Sequence, residues 1–457
     1  MPPRYPKPGM ANRSKPEPHA RRQSKQADQK KHGVRHFFEI LGPGIITGAA
    51  DDDPSGIATY SQTGAQFGLG QLWTAFYQIP LMLAVQEACA RIGAVTGKGL
   101  AGVIRDHYSR YVLFGVVLLV VVANTINIGA DIAAVAEATG LVVPIPRPVL
   151  AIGTTIAVLG LEIFISYPAY AKFLKWLALA LLAYPATALI ISQPWGDILR
   201  ATFVPHIELS TSFLFIVTGV FGTSISPYMF FWQASQEVEE ELAKGIKLKS
   251  NGEPRLPRGY VWDIRIDTAA GMFAAELAQW FIIITTASVL FKNGVTNIKT
   301  AADAAKALEP LVRSFPDAGE AARTIFAVGI VGLGLLAIPV LAGAAAYALS
   351  EAFGWKWGLS RKWNEARGFY GVIAVATLIG LSLNFVGIDP MKALVFTAVF
   401  NGIAAVPLLF VIARMNSESR ILGKYRGGGL SVTMVWVTFG VMGLSSLALL
   451  YTTLAGR

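Results

Sequence analysis

ITGAADDDPSGIATYSQTGA, residues 46–65, sets Asp51, Asp52 and Asp53 side by side in an otherwise apolar stretch and follows them with Pro54, Ser55 and Gly56. An ionised aspartate at the centre of a membrane span costs about 2.5–3.5 kcal/mol, so three facing lipid would cost roughly 8–10 kcal/mol. The stretch therefore needs a water-filled cavity, a bound cation or partial protonation. A divalent cation relieves the repulsion among adjacent carboxylates best. On a regular helix neighbouring side chains point about 100° apart and cannot converge on one ion. An unwound stretch turns the side chains and frees their carbonyls. Pro54 supplies the break, because proline lacks a backbone donor and clashes with the preceding turn.

The rest of the chain agrees with a membrane setting. It has 457 residues, 53% of them hydrophobic, and a mean hydropathy of +0.50. Charged residues make up 15%, against about 25% in soluble domains. Eleven apolar runs have a length suited to a bilayer: roughly 41–67, 71–95, 111–139, 148–166, 173–193, 212–238, 267–291, 324–350, 369–387, 391–412 and 430–453. The fold class expected is an all-α integral membrane protein of about eleven transmembrane helices. Spans three, six and eight are long, which implies tilt or an added turn outside the bilayer. The lone Cys89 excludes an intrachain disulfide and a multi-cysteine metal site.

The net charge of +10 is spread over the ends and loops of the spans, so it signals topology and not nucleic-acid binding. Residues 1–36 are rich in Pro, Lys, Arg, Gln and Ser, with no apolar core, and read as a disordered basic tail. Residues 37–457 then form one transmembrane transport domain. Basic residues gather after spans two, four, six, eight and ten, for example Lys98, Arg105, Lys172, Lys175, Lys244, Lys247, Lys249, Arg258, Arg361 and Arg414. The alternate loops are poorer, except 292–323, whose basic residues share it with Asp303, Glu309, Asp317 and Glu320 and which reads as a short surface helix. The positive-inside rule then gives a multi-pass protein of the cell's inner (plasma) membrane, N-terminus cytoplasmic and C-terminus outside.

Span six is odd in the same way as span one. GVFGTSISPYMFFWQAS, residues 219–235, carries Thr223, Ser224 and Ser226 and then Pro227 at mid-span. Broken backbone in a bilayer is tolerated where it is buried in protein or lines a wet cavity. The breaks at Pro54 and Pro227 lie five spans apart, as in two inverted repeats (helices 1–5 and 6–10) with the substrate between the broken helices. A pair of simple proline kinks is the alternative. Hydroxyls, carbonyls and carboxylates without sulfur or imidazole suit a hard ion such as Mg²⁺, Ca²⁺ or Mn²⁺, and Mg²⁺ keeps several of its waters.

These segments resemble the metal-site helices of the Nramp family of divalent metal transporters, which have a LeuT-like fold. Gly42-Pro43-Gly44 opens the helix as in that family. Asp53 and Pro54 match its Asp-Pro, Ser55 replaces the following Gly, and Gly56 stands at the metal-binding Asn. On span six Thr223 stands at the family's Ala, Ser226 at its metal-binding Met, Pro227 at its Pro and Tyr228 at its His. The resemblance covers about residues 37–455. It implies metal contact at Asp53, Gly56, Thr223 and Ser226, with Tyr228 at the cavity; Asp51 and Asp52 depart from the family and are read as holding the ion's outer-shell water or raising the local cation concentration, and Asn401 as a contact to hydrated metal. Losing the sulfur and the Asn is similar to the Nramp-related magnesium transporter branch. On span three GADIAAVAEA keeps Asp131 on a polar pathway, but Ala134 stands where the family has a proton-linked Glu. Gln233 sits near a second family His.

The function expected is a divalent cation transporter for Mg²⁺ or Mn²⁺, working by alternating access without proton coupling. It needs no cofactor, the metal being its substrate, and is expected to be a monomer in the lipid bilayer. A proton-coupled Mn²⁺/Fe²⁺ transporter is the alternative within the class, and a sodium-coupled organic-solute carrier another. An intramembrane Mg²⁺-dependent prenyltransferase would need a second Asp-rich motif, and no other span carries paired aspartates. Glu87 with Arg91 is an i, i+4 pair suited to a gate or to stability. Glu276 and Gln279 could line the permeation path, Glu162 faces the cytosol at a span end, and Glu237, Glu239, Glu240 and Glu241 read as a solvated face.

Overall fold

A computed structural model describes residues 41–165, 179–246, 254–257, 259–314 and 317–455. The tail expected over 1–36 lies outside the described residues, as do Lys172, Lys175, Lys247, Lys249 and Arg258 and the start of span five. The helical body runs from Gly42 onward.

Helices stand under all eleven runs. Span one is two half-helices, a leading half Pro43–Asp51 and a trailing half Pro54–Phe67. Span two is Trp73–Thr96, span three Arg110–Gly140 and span four Arg147–Phe164. Span five ends in a 3-10 turn, Leu179–Leu182, and a helix, Ala183–Ile190. Span six is again two halves, Thr211–Ser224 and Pro227–Ala243. Spans seven to eleven are Tyr260–Val289, Ala318–Phe353, Arg367–Leu383, Pro390–Ser417 and Gly429–Leu454. Among the described residues eight helical stretches are long and apolar enough to cross a membrane by length and composition alone. Span eight has 36 residues, about 54 Å at 1.5 Å per residue, well beyond the bilayer's hydrocarbon core.

The packing partners reveal the internal symmetry. Span one packs with span six, two with seven, three with eight and four with nine. Each of these helices thus meets its counterpart five positions on, as inverted repeats require. Span ten packs on the leading half of span six, and span eleven on span ten.

Both breaks are built by proline at a first helical position, where its missing donor costs nothing. Asp53 is the N-cap of the trailing half of span one, and Ser226 that of the trailing half of span six. The leading half of span one lies against span seven at van der Waals contact of the backbones. A Cβ on Gly48 would collide with the Gly271 carbonyl. Its first turn is capped from span seven as well: Asp267 accepts the backbone N–H of Gly42 (2.9 Å), Gly44 (2.7 Å) and Ile45 (3.2 Å). A carboxylate at a helix N-terminus satisfies orphan donors and the helix dipole together.

Residues 301–312 do form a short helix and 3-10 turn, but not a free surface one. Ala301, Ala304, Ala305 and Leu308 are buried, and the turn packs on spans eight and five. The acidic run after span six also differs from expectation. Glu237, Glu239 and Glu241 are buried. Glu239 accepts from the Leu359 (2.6 Å) and Ser360 (3.0 Å) backbone N–H groups and from the Tyr347 hydroxyl, so it staples span six to the loop after span eight. Glu162 is likewise buried and not cytosol-facing.

Candidate functional site

The two breaks face each other at the centre of the bundle. Asp53 is 1% exposed and accepts three hydrogen bonds. Its Oδ1 takes the Gly56 backbone N–H at 2.6 Å and the Ser55 hydroxyl at 2.7 Å, while Oδ2 takes Asn127 Nδ2 at 3.1 Å. Two of these donors come from the helix turn that Asp53 caps, so one side chain serves both as cap and as the most firmly oriented carboxylate at the break.

Gly56 stands in the first turn of the trailing half of span one. A Cβ built there would sit 3.2 Å from the Asp51 carbonyl oxygen, 3.2 Å from Thr223 Oγ1 and 3.4 Å from Asp53 Oδ1. A side chain in this position would occupy the point on which three oxygens converge. Thr223 Oγ1 is also 3.5 Å from Ser55 Oγ. Ser226 donates its hydroxyl to its own broken helix, to the Gly222 carbonyl and to the Thr223 carbonyl at 2.8 Å. Its lone pairs remain to accept or to coordinate. Asp53, Gly56 and Thr223 are therefore brought together, whereas the Ser226 hydroxyl is bonded within its own helix, three residues beyond Thr223.

Asn401, from span ten, donates to Asn127 Oδ1 at 3.2 Å, and Asn127 Nδ2 is also 3.2 Å from Asp131 Oδ2. Asp131 and Asn401 thus join Asp53 through Asn127. Sequence reasoning misses Asn127, although it stands four residues before Asp131 on one helical face. Glu137, further along span three, accepts the Ala301 backbone N–H at 2.8 Å and belongs to the loop anchor. Tyr228 donates to the Ala50 carbonyl at 3.0 Å. Thr47 donates to Gln233 Oε1, and Gln233 donates to Glu237 at 3.0 Å.

Asp51 and Asp52 are placed differently. Both are buried, at 1% and 5% exposure, and neither oxygen of the Asp51 carboxylate nor Oδ1 of Asp52 has a protein partner. Glu276, on span seven, is buried as well. Beside Glu276 runs a polar relay: the Tyr60 hydroxyl lies 2.9 Å from Ser224 Oγ, and Ser224 lies 3.3 Å from the Gln279 amide. With its nitrogen facing the carboxylate, that amide donates to Glu276 Oε2 at 3.2 Å. Among the described residues no three His, Cys, Asp or Glu side chains are close enough to grip a bare metal ion. Oxygen from backbone, hydroxyl, amide and water must complete any cation shell here.

At one end of the bundle Glu87 pairs with Arg91 at 2.9 Å and with Arg265 at 3.0 Å. Arg91 also donates to Asn416 at 2.7 Å and to Ser431 at 3.1 Å. The pair read from span two is thus part of a network that also holds spans seven and ten and the start of span eleven.

Comparison with known proteins gives a consistent result. The family model described as natural resistance-associated macrophage protein-like (Nramp) matches residues 44–452. The divalent metal cation transporter MntH of Klebsiella pneumoniae strain 342 is 26% identical over 394 residues, 84% of this chain and 87% of that one. Its counterpart from strain ATCC 700721 / MGH 78578 is 26% identical over 415 residues, 87% and 92%. Among solved structures, the manganese transporter of Eremococcus coleocola bound to an aromatic bis-isothiourea compound superposes with a TM-score of 0.72 at 18% identity, covering 91% of this chain and 86% of that one. Mhp1, a nucleobase-cation-symport-1 transporter, in a closed state with bromovinylhydantoin, gives 0.53 at 15% identity over 90% and 91%. The fold is thus shared beyond metal transporters.

Proposed function

The chain belongs to the Nramp family of metal-ion transporters, and on that footing we propose that its cargo is Mg²⁺, carried by alternating access without an accompanying proton. It is a divalent metal transporter and not an enzyme; the metal is its substrate and no cofactor takes part. The observation that carries the Mg²⁺ reading is the oxygen-only convergence at Gly56, where the Asp51 carbonyl, Thr223 Oγ1 and Asp53 Oδ1 meet around a position without a side chain. Such a shell suits a hard ion that retains water. In this reading Asp53 binds the ion directly or through one water. Thr223 and Ser226 add oxygen from span six, and Tyr228 and Asn401 flank the cavity. Asp51 and Asp52 concentrate cations beside it.

The absence of proton coupling is supported by span three. Its Asp131 is tied to Asn127, the position one turn further is Ala134, and Glu137 is engaged by the loop. The second reading, a proton-coupled Mn²⁺ carrier, is favoured by the MntH relatives and by the manganese transporter structure. Against it stands the missing sulfur: Ser226 occupies the break, and Met229 is packed in the apolar core. The charge of the loops supports a multi-pass protein of the inner membrane with a cytoplasmic N-terminus, and a single chain suffices for the site. A reporter fused after Arg457 should be found outside.

The test is uptake into proteoliposomes with Mg²⁺, Mn²⁺ and Ca²⁺ in competition and internal pH recorded. Mg²⁺ entry without acidification is expected, and it should be lost in Asp53→Ala. Undiminished Mg²⁺ uptake by that variant would overturn the site. Acidification that tracks Mn²⁺ entry, with Mg²⁺ excluded, would establish the second reading.

A further inference from the structure

An ionised carboxylate offers about four lone-pair positions, two on each oxygen. At Asp53 protein donors take most of them. Oδ1 accepts the Gly56 backbone N–H at 2.6 Å and the Ser55 hydroxyl at 2.7 Å, so both of its positions are filled. Oδ2 accepts Asn127 Nδ2 at 3.1 Å and keeps one position open. An arriving ion therefore meets a carboxylate with room on one oxygen only. To reach Oδ1 as well, it would have to displace a donor. Asp53, Ser55 and Asn127 are all buried, so a displaced donor would be left unpaired in the protein interior.

The three donors are not equivalent. The Gly56 N–H belongs to the backbone and is set by the helix turn that Asp53 caps. Asn127 acts on the other oxygen. The Ser55 hydroxyl is the side chain that decides whether Oδ1 has an open position. It carries a single proton. Asp53 Oδ1 receives that proton at 2.7 Å, whereas the Thr223 hydroxyl lies 3.5 Å away, at the far limit of a hydrogen bond. Nothing about Ser55 is needed to start the helix, since Pro54 and the Asp53 cap already do so.

We propose that Ser55 is a specificity-determining residue: its hydroxyl fills Oδ1, restricts Asp53 to a contact through one oxygen, and thereby selects against Ca²⁺. Ca²⁺ gathers roughly 6–8 oxygens in a flexible shell and takes carboxylates by one or both oxygens, while Mg²⁺ demands a near-ideal octahedron and keeps several waters. The two oxygens of one carboxylate lie too close together to occupy neighbouring corners of a regular octahedron. Mg²⁺ thus loses nothing when Oδ1 is closed to it, and Ca²⁺ loses a ligand. The proposal rests on reading Asp53 as a contact of the transported ion.

The experiment measures uptake of Mg²⁺ and of Ca²⁺, each with the other as competitor, by the full chain in proteoliposomes. Ca²⁺ should compete weakly in the unmodified protein and several-fold better in Ser55→Ala, where Oδ1 gains an open position. Asn127→Ala frees a position on Oδ2 and leaves Oδ1 filled, so it should weaken both ions and keep their ratio. An unchanged ratio in Ser55→Ala overturns the proposal, and so does an equal change of ratio in Asn127→Ala, which would mark a general loosening of the carboxylate. Equal competition by the two ions in the unmodified protein overturns it as well. Should Ser55→Ala carry neither ion, equilibrium dialysis of Mg²⁺ and Ca²⁺ on the chain in lipid nanodiscs reads the same ratio from binding. Undiminished uptake by Asp53→Ala would sink the Asp53 contact itself, whereas loss of uptake there with an unmoved ratio in Ser55→Ala would sink the role of Ser55 alone.

Discussion

Asn127 donates from Nδ2 to Asp53 Oδ2 at 3.1 Å, so span three holds one oxygen of the carboxylate while the Gly56 amide holds the other. Both donors fix the carboxylate before an ion arrives. Hydrogen bonds to charged groups are worth about 1.5–3 kcal/mol, roughly tenfold or more in an equilibrium.

If Asp53 is the ground-state contact, as proposed, replacing Asn127 by Ala should weaken ion uptake about tenfold at unchanged maximal velocity. Initial-rate transport in proteoliposomes as a function of Mg²⁺ measures it. An unchanged half-saturation concentration would show that Asn127 orients nothing.

Ser226 sits at the mid-span break and offers only oxygen. Ser226→Met would place a thioether there, and soft donors favour transition metals. The ratio of Mn²⁺ to Mg²⁺ uptake in mixed-metal assays should rise several-fold. A ratio that stays put would remove Ser226 from the selectivity determinants.

Gly48 has no room for a methyl group, since the Gly271 carbonyl lies where its Cβ would be. Gly153, on span four, meets nothing within 4 Å. Gly48→Ala should destabilise by about 1–3 kcal/mol through overpacking, whereas Gly153→Ala should be neutral or stabilise by up to about 1 kcal/mol through helix propensity. Thermal unfolding in detergent compares the two. Equal melting temperatures would contradict the close seam between spans one and seven.

Glu87 and Arg91 form a buried pair, 5% and 3% exposed in their side chains. Glu87→Ala leaves Arg91 without its carboxylate and should cost about 3–5 kcal/mol. The double change Glu87→Met with Arg91→Met should recover much of that loss, because neither charge is then buried alone. A double-mutant cycle on unfolding measures the coupling. Additive effects would show that the pair is only a bystander within its network.

The spans were legible because lipid demands long apolar helices with little exception, and the breaks because Pro54 and Pro227 have a strong local effect. The residues at the breaks were legible too, since a carboxylate in that setting needs a reason. What escaped was partnership across the bundle. Asn127 is one polar residue in an apolar helix until the fold brings it to Asp53 and Asn401. Asp267 stands at the edge of span seven, and nothing around it signals that it caps a helix more than two hundred residues earlier. The glutamates after span six read as solvated because four acids in five residues usually are. Burial of Glu239 depends on Tyr347 and on the amides of Leu359 and Ser360, a relation that no local pattern encodes.

The hydrogen bonds between the broken helices have a mechanical consequence. Tyr228 and Gln233, in the trailing half of span six, bond Ala50 and Thr47, in the leading half of span one. Tyr60, in the trailing half of span one, bonds Ser224, in the leading half of span six. The four pieces are thus coupled as two levers, each made from opposite halves of the two helices, with Asp53 and Ser226 at the fulcrum between them. Tilting one lever against the other would open the cavity to one side while every bond inside each lever is kept. Spin labels at Ala49 and Phe230 should then hold one separation throughout transport, while labels at Ala49 and Ala58 change theirs; the reverse result would mean that each helix bends by itself.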